Sequence, residues 1–214
     1  MKRDKPIITI YEYQRIFQVV HSVYQKIDNS GSVCCQFYNV AGAFILNEVY
    51  NKKVTLMMGA ACFKFHAPLS INLYFAHING KTVSSSEEAF HCWIQTEDGY
   101  LLDFTAPLYR EYTEQAGKKC LIPRKMFQKK LTLMAASYHE LQQEGDFYVQ
   151  ANSELTASRL LESVEHHKNE NLLNLCLHWF KKPPRKIDLT MTVMNQMGKI
   201  ETINLNTIKI SGKW

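Results

Sequence analysis

No uninterrupted apolar run in this 214-residue sequence approaches the roughly 18 residues that a membrane-spanning helix needs. The charged start, residues 1–6, is not followed by the apolar core of a signal peptide. Glycine and proline number only 9 and 6, and there is no internal repeat and no Gly/Ser linker. We therefore expect one globular domain over residues 1–214, located in the cytoplasm and without a membrane partner.

Motifs for several common chemistries are missing as well. The sequence has no Gly-x-Ser-x-Gly and no phosphate-binding Gly-x4-Gly-Lys-[Ser/Thr] motif, so serine-hydrolase and nucleotide-triphosphatase interpretations lack their residues. Its 6 cysteines and 8 histidines form neither Cys-x-x-Cys nor His-Glu-x-x-His, and we predict no metal and no cofactor. The net charge is only +5 and the basic clusters at 124–130 and 181–186 are short and separate, so a nucleic-acid partner is not expected.

Apolar spacing and turn residues predict an α+β fold, with helices first, a sheet in the middle, and helices and a hairpin last. The predicted helices cover residues 11–27, 35–49, 154–167 and 172–179, with an N-cap at Asn152 or Ser153 for the third. The predicted strands cover 54–65, 71–78, 91–95 and 100–105. A C-terminal hairpin is predicted from 187–193 and 203–205 around a turn at 195–198, and residues 28–32 form a further turn cluster.

A pair of cysteines lies where the second predicted helix begins. The segment from Gly31 to Ala43 is a turn that leads into a helix, with Cys34 and Cys35 at its start. Unpaired N–H groups and the positive end of the helix dipole favour a thiolate at this place. Free cysteines are also commonly buried for packing alone, so this segment by itself is consistent with either role.

A second group of polar residues is predicted on a β-hairpin. If residues 97–99 form a three-residue turn with Gly99 in the left-handed conformation, Thr96 pairs with Tyr100. In that register His91 and Asp103 lie on one face as diagonal neighbours. A carboxylate on one imidazole nitrogen fixes the tautomer and leaves the other nitrogen to exchange a proton with a nucleophile.

The order of these residues resembles that of the papain/transglutaminase-like superfamily. The resemblance lies in a Cys that opens a helix, then His91-Cys92-Trp93 on one strand, then Asp98-Gly99 and Asp103-Phe104-Thr105 on the next. This order is similar to that of transglutaminase-like proteins, arylamine N-acetyltransferases and the leader peptidases of lasso-peptide biosynthesis. The segments 35–43 and 212–214 are similar to an uncharacterised bacterial family of that superfamily, known as a domain of unknown function.

The resemblance implies a papain-like fold, in which a central helix with an N-terminal Cys packs on a mostly antiparallel sheet, followed by C-terminal helices and a β-hairpin. It also implies that a cysteine is the nucleophile, His91 the base and Asp103 the orienting acid. The implied activity is that of a cysteine-dependent acyl hydrolase or acyltransferase acting on a peptide, amide or acyl substrate, without a cofactor. The alternative is a catalytically inactive papain-like module that binds a partner, and whether the chain forms a homo-oligomer is left open.

The resemblance favours Cys35 over Cys34 as the nucleophile. In transglutaminase-like relatives two aliphatic residues follow the nucleophile by ten and eleven positions, where this sequence has Ile45 and Leu46 when counted from Cys35. Cys34 stays open as the alternative. The Gly-Ile-Pro-Ala-Arg segment of those relatives is absent here. The N–H of Cys35 is one candidate oxyanion donor, and the sequence indicates no second one.

Overall fold

The computed structural model describes residues 6–27, 34–66, 71–115, 117, 122–165, 167–194 and 198–214. The turn predicted at 28–32, the segment 31–33 ahead of Cys34 and most of the turn at 195–198 lie outside the described residues. The helices are α1 (Ile10–Ile27), α2 (Cys35–Tyr50), α3 (Tyr109–Gln115), α4 (Ser153–Glu165) and α5 (His167–Trp179). The strands are β1 (Val54–His66), β2 (Ile71–Phe75), β3 (His77–Asn79), β4 (Thr82–Ser84), β5 (His91–Thr96), β6 (Tyr100–Asp103), β7 (Phe127–Lys130), β8 (Phe147–Ala151), β9 (Thr190–Met194) and β10 (Ile200–Asn204).

The first helix follows from its apolar spacing and from a capping box. Residues at helical spacing on its inner face, Ile16, Val19 and Val23, are fully buried. At its start the Thr9 N–H donates to the Glu12 carboxylate at 2.8 Å, and the Glu12 N–H donates to the Thr9 hydroxyl at 3.2 Å. These reciprocal bonds satisfy N–H groups that have no partner within the helix.

The second helix runs through the middle of the core and ends in a left-handed residue. Its Ala41, Ile45 and Leu46 are buried between α1, α5 and the sheet. Asn51 adopts φ 52° and ψ 44°, and its N–H bonds to the Asn47 carbonyl at 3.1 Å. Such a left-handed residue satisfies the last carbonyls of the helix and turns the chain toward β1.

Within the described residues, six strands form one antiparallel sheet that is organised around the 13-residue strand β1. The first half of β1 pairs with β5, its second half with β2, and its middle with β8. Beyond β5 the sheet continues through β6 to β7. The fold is therefore mixed α/β with an antiparallel sheet, as the sequence predicted.

Three groups of strands differ from the sequence prediction. The single strand predicted over 71–78 is interrupted at Ala76 and forms two strands, and the second of them pairs with β4 outside the main sheet. Strands β4, β7 and β8 were not predicted; β7 lies within a basic segment that indicated a solvated surface. The C-terminal hairpin begins at Thr190, three residues later than predicted; on its inner side Met191 and Val193 are half-buried and Ile203 is buried.

The two faces of β5 and β6 belong to two different parts of the core. Ile94 and Leu102 face α1, α2 and α5, whereas Trp93 and Leu101 face a cluster rich in aromatic side chains. The start of β5 and the end of β6 lie beside the beginning of α2, because the Asn39 amide bonds to the Cys92 carbonyl and to Asp103. Within the described part of the chain, no helix is both long and apolar enough to cross a membrane.

Candidate active site

Two cysteines lie at the start of α2. Cys34 is the N-cap residue, with extended backbone (φ −105°, ψ 97°), and Cys35 is the first helical residue. The first turn of this helix contains no acidic residue, so nothing there opposes the effect of the helix dipole on the two sulfurs. Cys34 is half-buried, whereas Cys35 is 8% exposed and packs among Met58, Cys92 and Leu155.

The β5–β6 hairpin has the register that the sequence predicted. Ile94 pairs with Leu102, and Gln95 with Leu101. Gly99 has φ 74°, a value that favours glycine, and its N–H bonds to a carbonyl three residues earlier at 3.0 Å. This three-residue turn sets which side chains share a face of the hairpin.

His91 and Asp103 are brought together by that register. His91 Nε2 lies 2.6 Å from Asp103 Oδ2, and both side chains are fully buried. Burial of both partners excludes water that would otherwise weaken the bond. The predicted base and orienting acid therefore form a hydrogen-bonded pair within the core.

The pair shifts the pKa values of both side chains toward their charged forms. Burial alone would lower the pKa of His91, but the charge and hydrogen bond of Asp103, with a smaller effect of Cys35, raise it instead. Burial alone would raise the pKa of Asp103, but His91, Tyr109 and Asn39 together hold it below its usual range. The structure therefore favours an imidazolium beside a carboxylate.

The second ring nitrogen of His91 is the one available to Cys35. Nδ1 is buried and has no hydrogen-bond partner among the described residues. Because Nε2 is bonded to Asp103, Nδ1 is the nitrogen left for Cys35, whose sulfur acts on the pKa of His91. The thiol thus lies beside the imidazole without a fully formed S···N hydrogen bond, which is common for catalytic contacts in the absence of substrate.

Asn39 connects helix α2, which begins with Cys35, to the His–Asp pair. It lies one turn after Cys35, is fully buried, and places Nδ2 at 2.9 Å from Asp103 Oδ1. The same nitrogen lies 3.1 Å from the Cys35 carbonyl and 2.8 Å from the Cys92 carbonyl. Its Oδ1 accepts the Phe104 N–H at 2.9 Å. One amide therefore joins α2 to both strands of the hairpin.

Asp103 accepts further hydrogen bonds that fix its carboxylate. The Tyr109 hydroxyl donates to Oδ2, and the Thr105 N–H donates to Oδ1 at 2.8 Å. The Tyr13 hydroxyl donates to the main-chain carbonyl of the same residue. With His91 also bonded, both carboxylate oxygens are satisfied, which stabilises a buried negative charge.

Two aromatic rings pack against the imidazole of His91 and restrict its orientation. Phe75 stacks on His91 with centroids 4.3 Å apart and an interplanar angle of 25°. Phe63 meets the same ring edge-on at 5.6 Å. These contacts restrict rotation of the imidazole and keep its surroundings apolar.

Sequence reasoning placed Cys35, His91 and Asp103 but missed Asn39, Tyr109 and Phe75. Asn39 carried a usable signal, because a polar residue of low helix propensity interrupts an apolar helix four positions after the cysteine, on the same face. The other two contacts depend on chain segments that only the tertiary fold brings together. Among the described residues, no group of three or more His, Cys, Asp and Glu side chains could hold a metal ion.

Fold and site together define a mixed α/β protein with a buried Cys, His and Asp at the junction of a helix and an antiparallel hairpin. The chain belongs to the DUF2026 family, described as a protein of unknown function, whose profile matches residues 9–214. It is also similar to a solved structure described as "The crystal structure of genomics APC5867", with 28% sequence identity, a TM-score of 0.86 and 100% of both chains covered. No curated protein matches the sequence.

Proposed function

We propose that this protein is a cysteine-dependent acyl hydrolase or acyltransferase of the papain/transglutaminase-like kind. Cys35 is the nucleophile, His91 the general base and acid, and Asp103 the orienting carboxylate. The observation that carries the proposal is a buried imidazole whose Nε2 bonds to a carboxylate at 2.6 Å and whose Nδ1 is left for a sulfur at a helix start. The antiparallel sheet that carries His91 and Asp103 against the cysteine helix agrees with the papain-like fold that the sequence resemblance implies.

The chemistry proceeds in two steps. The Cys35 thiolate attacks a carbonyl carbon, a C–S bond forms, and the carbonyl π electrons move to oxygen. When this intermediate collapses, the bond to the leaving group breaks and His91 Nδ1 gives its proton to that group. Neutral His91 then removes a proton from water or an amine, which attacks the thioester and releases Cys35. Asp103 holds the ring throughout and stabilises the imidazolium.

The substrate class that this chemistry requires is a peptide, amide or other acyl compound. Water as the acceptor gives a hydrolase, and an amine gives an acyltransferase. Both reactions use the same three side chains, so the arrangement supports the pair of activities and does not select one.

One observation favours a second candidate, a papain-like module that binds a partner without catalysis. Cys35 is only 8% exposed, and Leu155, with the half-buried Phe90 and Leu160, packs against it. A thiol that stays covered in solution reacts with no substrate. The reactivity of Cys35 therefore separates the two candidates.

The test is alkylation by iodoacetamide, followed by peptide mapping. We expect wild-type protein to be modified at Cys35 much faster than a free thiol at pH 6, where an ordinary thiol of pKa about 8.5 is almost wholly protonated. Cys35→Ala should lose the fast phase with Cys34 intact, and the matched control Cys34→Ala should keep it. His91→Gln should slow it, because the imidazolium that stabilises the thiolate is gone.

Two results would contradict the proposal. One is a fast phase that persists in Cys35→Ala and disappears in Cys34→Ala, which would make Cys34 the nucleophile. The other is a Cys35 thiol that reacts in the native protein no faster than a free thiol, which favours the binding module.

A further inference from the structure

We propose that the Tyr109 hydroxyl is a positioning group for acyl transfer. By donating to the Asp103 oxygen that also bonds to His91, it limits how strongly this carboxylate stabilises the imidazolium and keeps the Nδ1 proton transferable. The inference rests on the proposed function and extends it to the control of the proton that His91 passes to the leaving group. Tyr109 acts through Asp103 and not on the reacting atoms themselves.

Among the described residues, the donors to the Asp103 carboxylate are divided between its two oxygens. Oδ1 accepts from the Asn39 amide at 2.9 Å and from the Thr105 N–H at 2.8 Å. Oδ2 lies 2.6 Å from His91 Nε2 and accepts from the Tyr109 hydroxyl. The donors on Oδ1 anchor the carboxylate, whereas Tyr109 places its proton on the same oxygen that bonds to the imidazole.

The position of Tyr109 is fixed by a short turn and by ring packing. Tyr109 lies six positions after Asp103 in the chain, and a short 3₁₀-helix over Ala106–Leu108 joins the two. Tyr109 is fully buried, and the centroid of its ring lies 4.4 Å from that of Phe65 and 5.2 Å from that of Phe63. The fold therefore sets the place of the hydroxyl before substrate arrives.

The hydroxyl of Tyr109 stays protonated while the imidazole titrates. Burial raises the pKa of Tyr109 well above its ordinary value, and the charge and hydrogen bond of Asp103 raise it further. Other titratable groups also face the His91–Asp103 pair, namely Tyr13 from α1, Cys35 from α2, Cys92 from β5 and Tyr112 from α3. Burial raises the pKa of the two tyrosines and of Cys92 and keeps them neutral. The Cys35 thiolate of the proposed mechanism is therefore the charge that an experiment must control.

A second donor on one carboxylate oxygen weakens the hold of that oxygen on the first. The Tyr109 proton withdraws negative charge from Asp103 Oδ2, and its own partial positive charge lies close to the imidazolium. Both effects are strong in a buried site, because little water screens them. Without the hydroxyl, Asp103 would bind the imidazolium more tightly and His91 would be a weaker acid.

The acid strength of His91 matters when the tetrahedral intermediate collapses. At that step the Nδ1–H bond breaks, the proton goes to the leaving group, and the electron pair of the bond stays on Nδ1. A general acid works best when its pKa lies near the pH at which the enzyme operates. Because Asp103 raises the pKa of His91, a donor that moderates this effect keeps the imidazolium able to release its proton.

The experiment measures the titration of His91 directly, by NMR of protein that carries a carbon isotope label in its histidine side chains. Cys35→Ala is the parent, because it removes the thiolate and leaves the imidazole facing Asp103. Tyr109→Phe in this parent keeps the buried ring and removes only the hydroxyl. Tyr13→Phe in the same parent is the matched control, because Tyr13 is also fully buried but its hydroxyl donates to the main-chain carbonyl of Asp103.

We expect Tyr109→Phe to raise the pKa of His91 by about 1 relative to the parent, which is a tenfold tighter hold on the proton. Tyr13→Phe should leave the pKa of His91 near the parent value. An unchanged pKa in Tyr109→Phe would overturn the inference, and so would a lower one, since that would mean that Tyr109 only anchors the carboxylate. An equal rise in Tyr13→Phe would overturn it as well, because the loss of any buried hydroxyl would then have this effect.

A second variant covers the case in which Tyr109→Phe does not fold. Replacing Tyr109 by 3-fluorotyrosine keeps the hydroxyl and makes it a stronger donor, so the pKa of His91 should fall; a rise or no change would overturn the inference. The titration needs no turnover, so its outcome is separate from that of the proposed function. A Cys35 thiol that reacts no faster than a free thiol would end the proposed function, whereas an unchanged His91 pKa would end this inference alone.

Discussion

Replacing Asn39 by aspartate makes stability depend on pH in a way that the geometry determines. Asn39 Nδ2 lies 2.9 Å from Asp103 Oδ1, and both side chains are fully buried. The Asn39→Asp carboxyl has the shape of the amide and can still accept the Phe104 N–H. Facing Asp103, however, it must either carry a proton and donate it or place two negative charges in contact.

The magnitude follows from the separation of the two groups. Two unit charges about 4 Å apart repel by about 4 kcal/mol at an effective dielectric constant of 20, which is equivalent to about three pKa units. In the folded variant the introduced carboxyl should therefore keep its proton to near pH 7. In the unfolded chain the same carboxyl has its ordinary pKa of about 3.9. Because its folded pKa is raised, the variant loses about 1.4 kcal/mol of unfolding free energy per pH unit across that interval.

Urea unfolding at pH 5 and pH 7 measures this dependence. Relative to wild type, Asn39→Asp should lose about 3 kcal/mol more at pH 7 than at pH 5. The comparison variant Asn39→Ala leaves the buried Phe104 N–H without a partner and should lose about 1–3 kcal/mol beyond its packing loss, equally at both pH values. If Asn39→Asp shows the same loss at pH 5 and pH 7, the amide does not face the Asp103 carboxylate and the reasoning is refuted.

Two further predictions concern the acid and the sheet beneath the histidine. Asp103→Asn should slow acylation of Cys35 by p-nitrophenyl acetate about 10²–10⁴-fold, as measured by release of p-nitrophenolate. A wild-type rate would remove Asp103 from the mechanism. Because the folded pKa of Asp103 is lowered and that of His91 raised, the stability difference between wild type and this variant should be largest between about pH 4 and 6.5. This difference in unfolding free energy, measured by urea unfolding, should shrink below about pH 4 and above about pH 6.5. A Cβ added by Gly59→Ala would lie 2.1 Å from the Gln150 carbonyl oxygen, and moving the two strands apart to relieve this clash costs about 3 kcal/mol. Gly59→Ala should therefore lower the melting temperature by about 6–12 °C. An unchanged melting temperature would contradict the β1–β8 pairing.

The hairpin could be predicted from sequence because its geometry is local. The separation of His91 and Asp103 and the three turn residues fix the register, and Gly99 supplies the one backbone conformation the turn requires. The start of α2 was likewise predictable, since turn-forming residue types precede Cys35 in the sequence and the apolar helix begins at Cys35. Local geometry therefore predicted the His91–Asp103 pair, whereas the choice of Cys35 over Cys34 came from the family resemblance.

The groups that support those side chains could not be predicted, because they come from distant parts of the chain. Phe75 stacks on His91 only because β2 pairs with the second half of β1. Tyr109 reaches Asp103 from a short helix that has little apolar periodicity to reveal its inner face. Strand β7 was hidden for a related reason: its basic residues suggested a solvated surface, whereas pairing with β6 makes it part of the sheet.

The most direct test of the account is to locate the acyl group after reaction with p-nitrophenyl acetate. Protein quenched in acid during the first turnover, before deacylation, should carry an acetyl thioester on Cys35 in wild type and in Cys34→Ala. The modification should be absent from Cys35→Ala and strongly reduced in His91→Gln. An acetyl group found on Cys34, or on no cysteine at all, would contradict the claim that the structure joins a helix-start thiol to a carboxylate-held imidazole for acyl transfer.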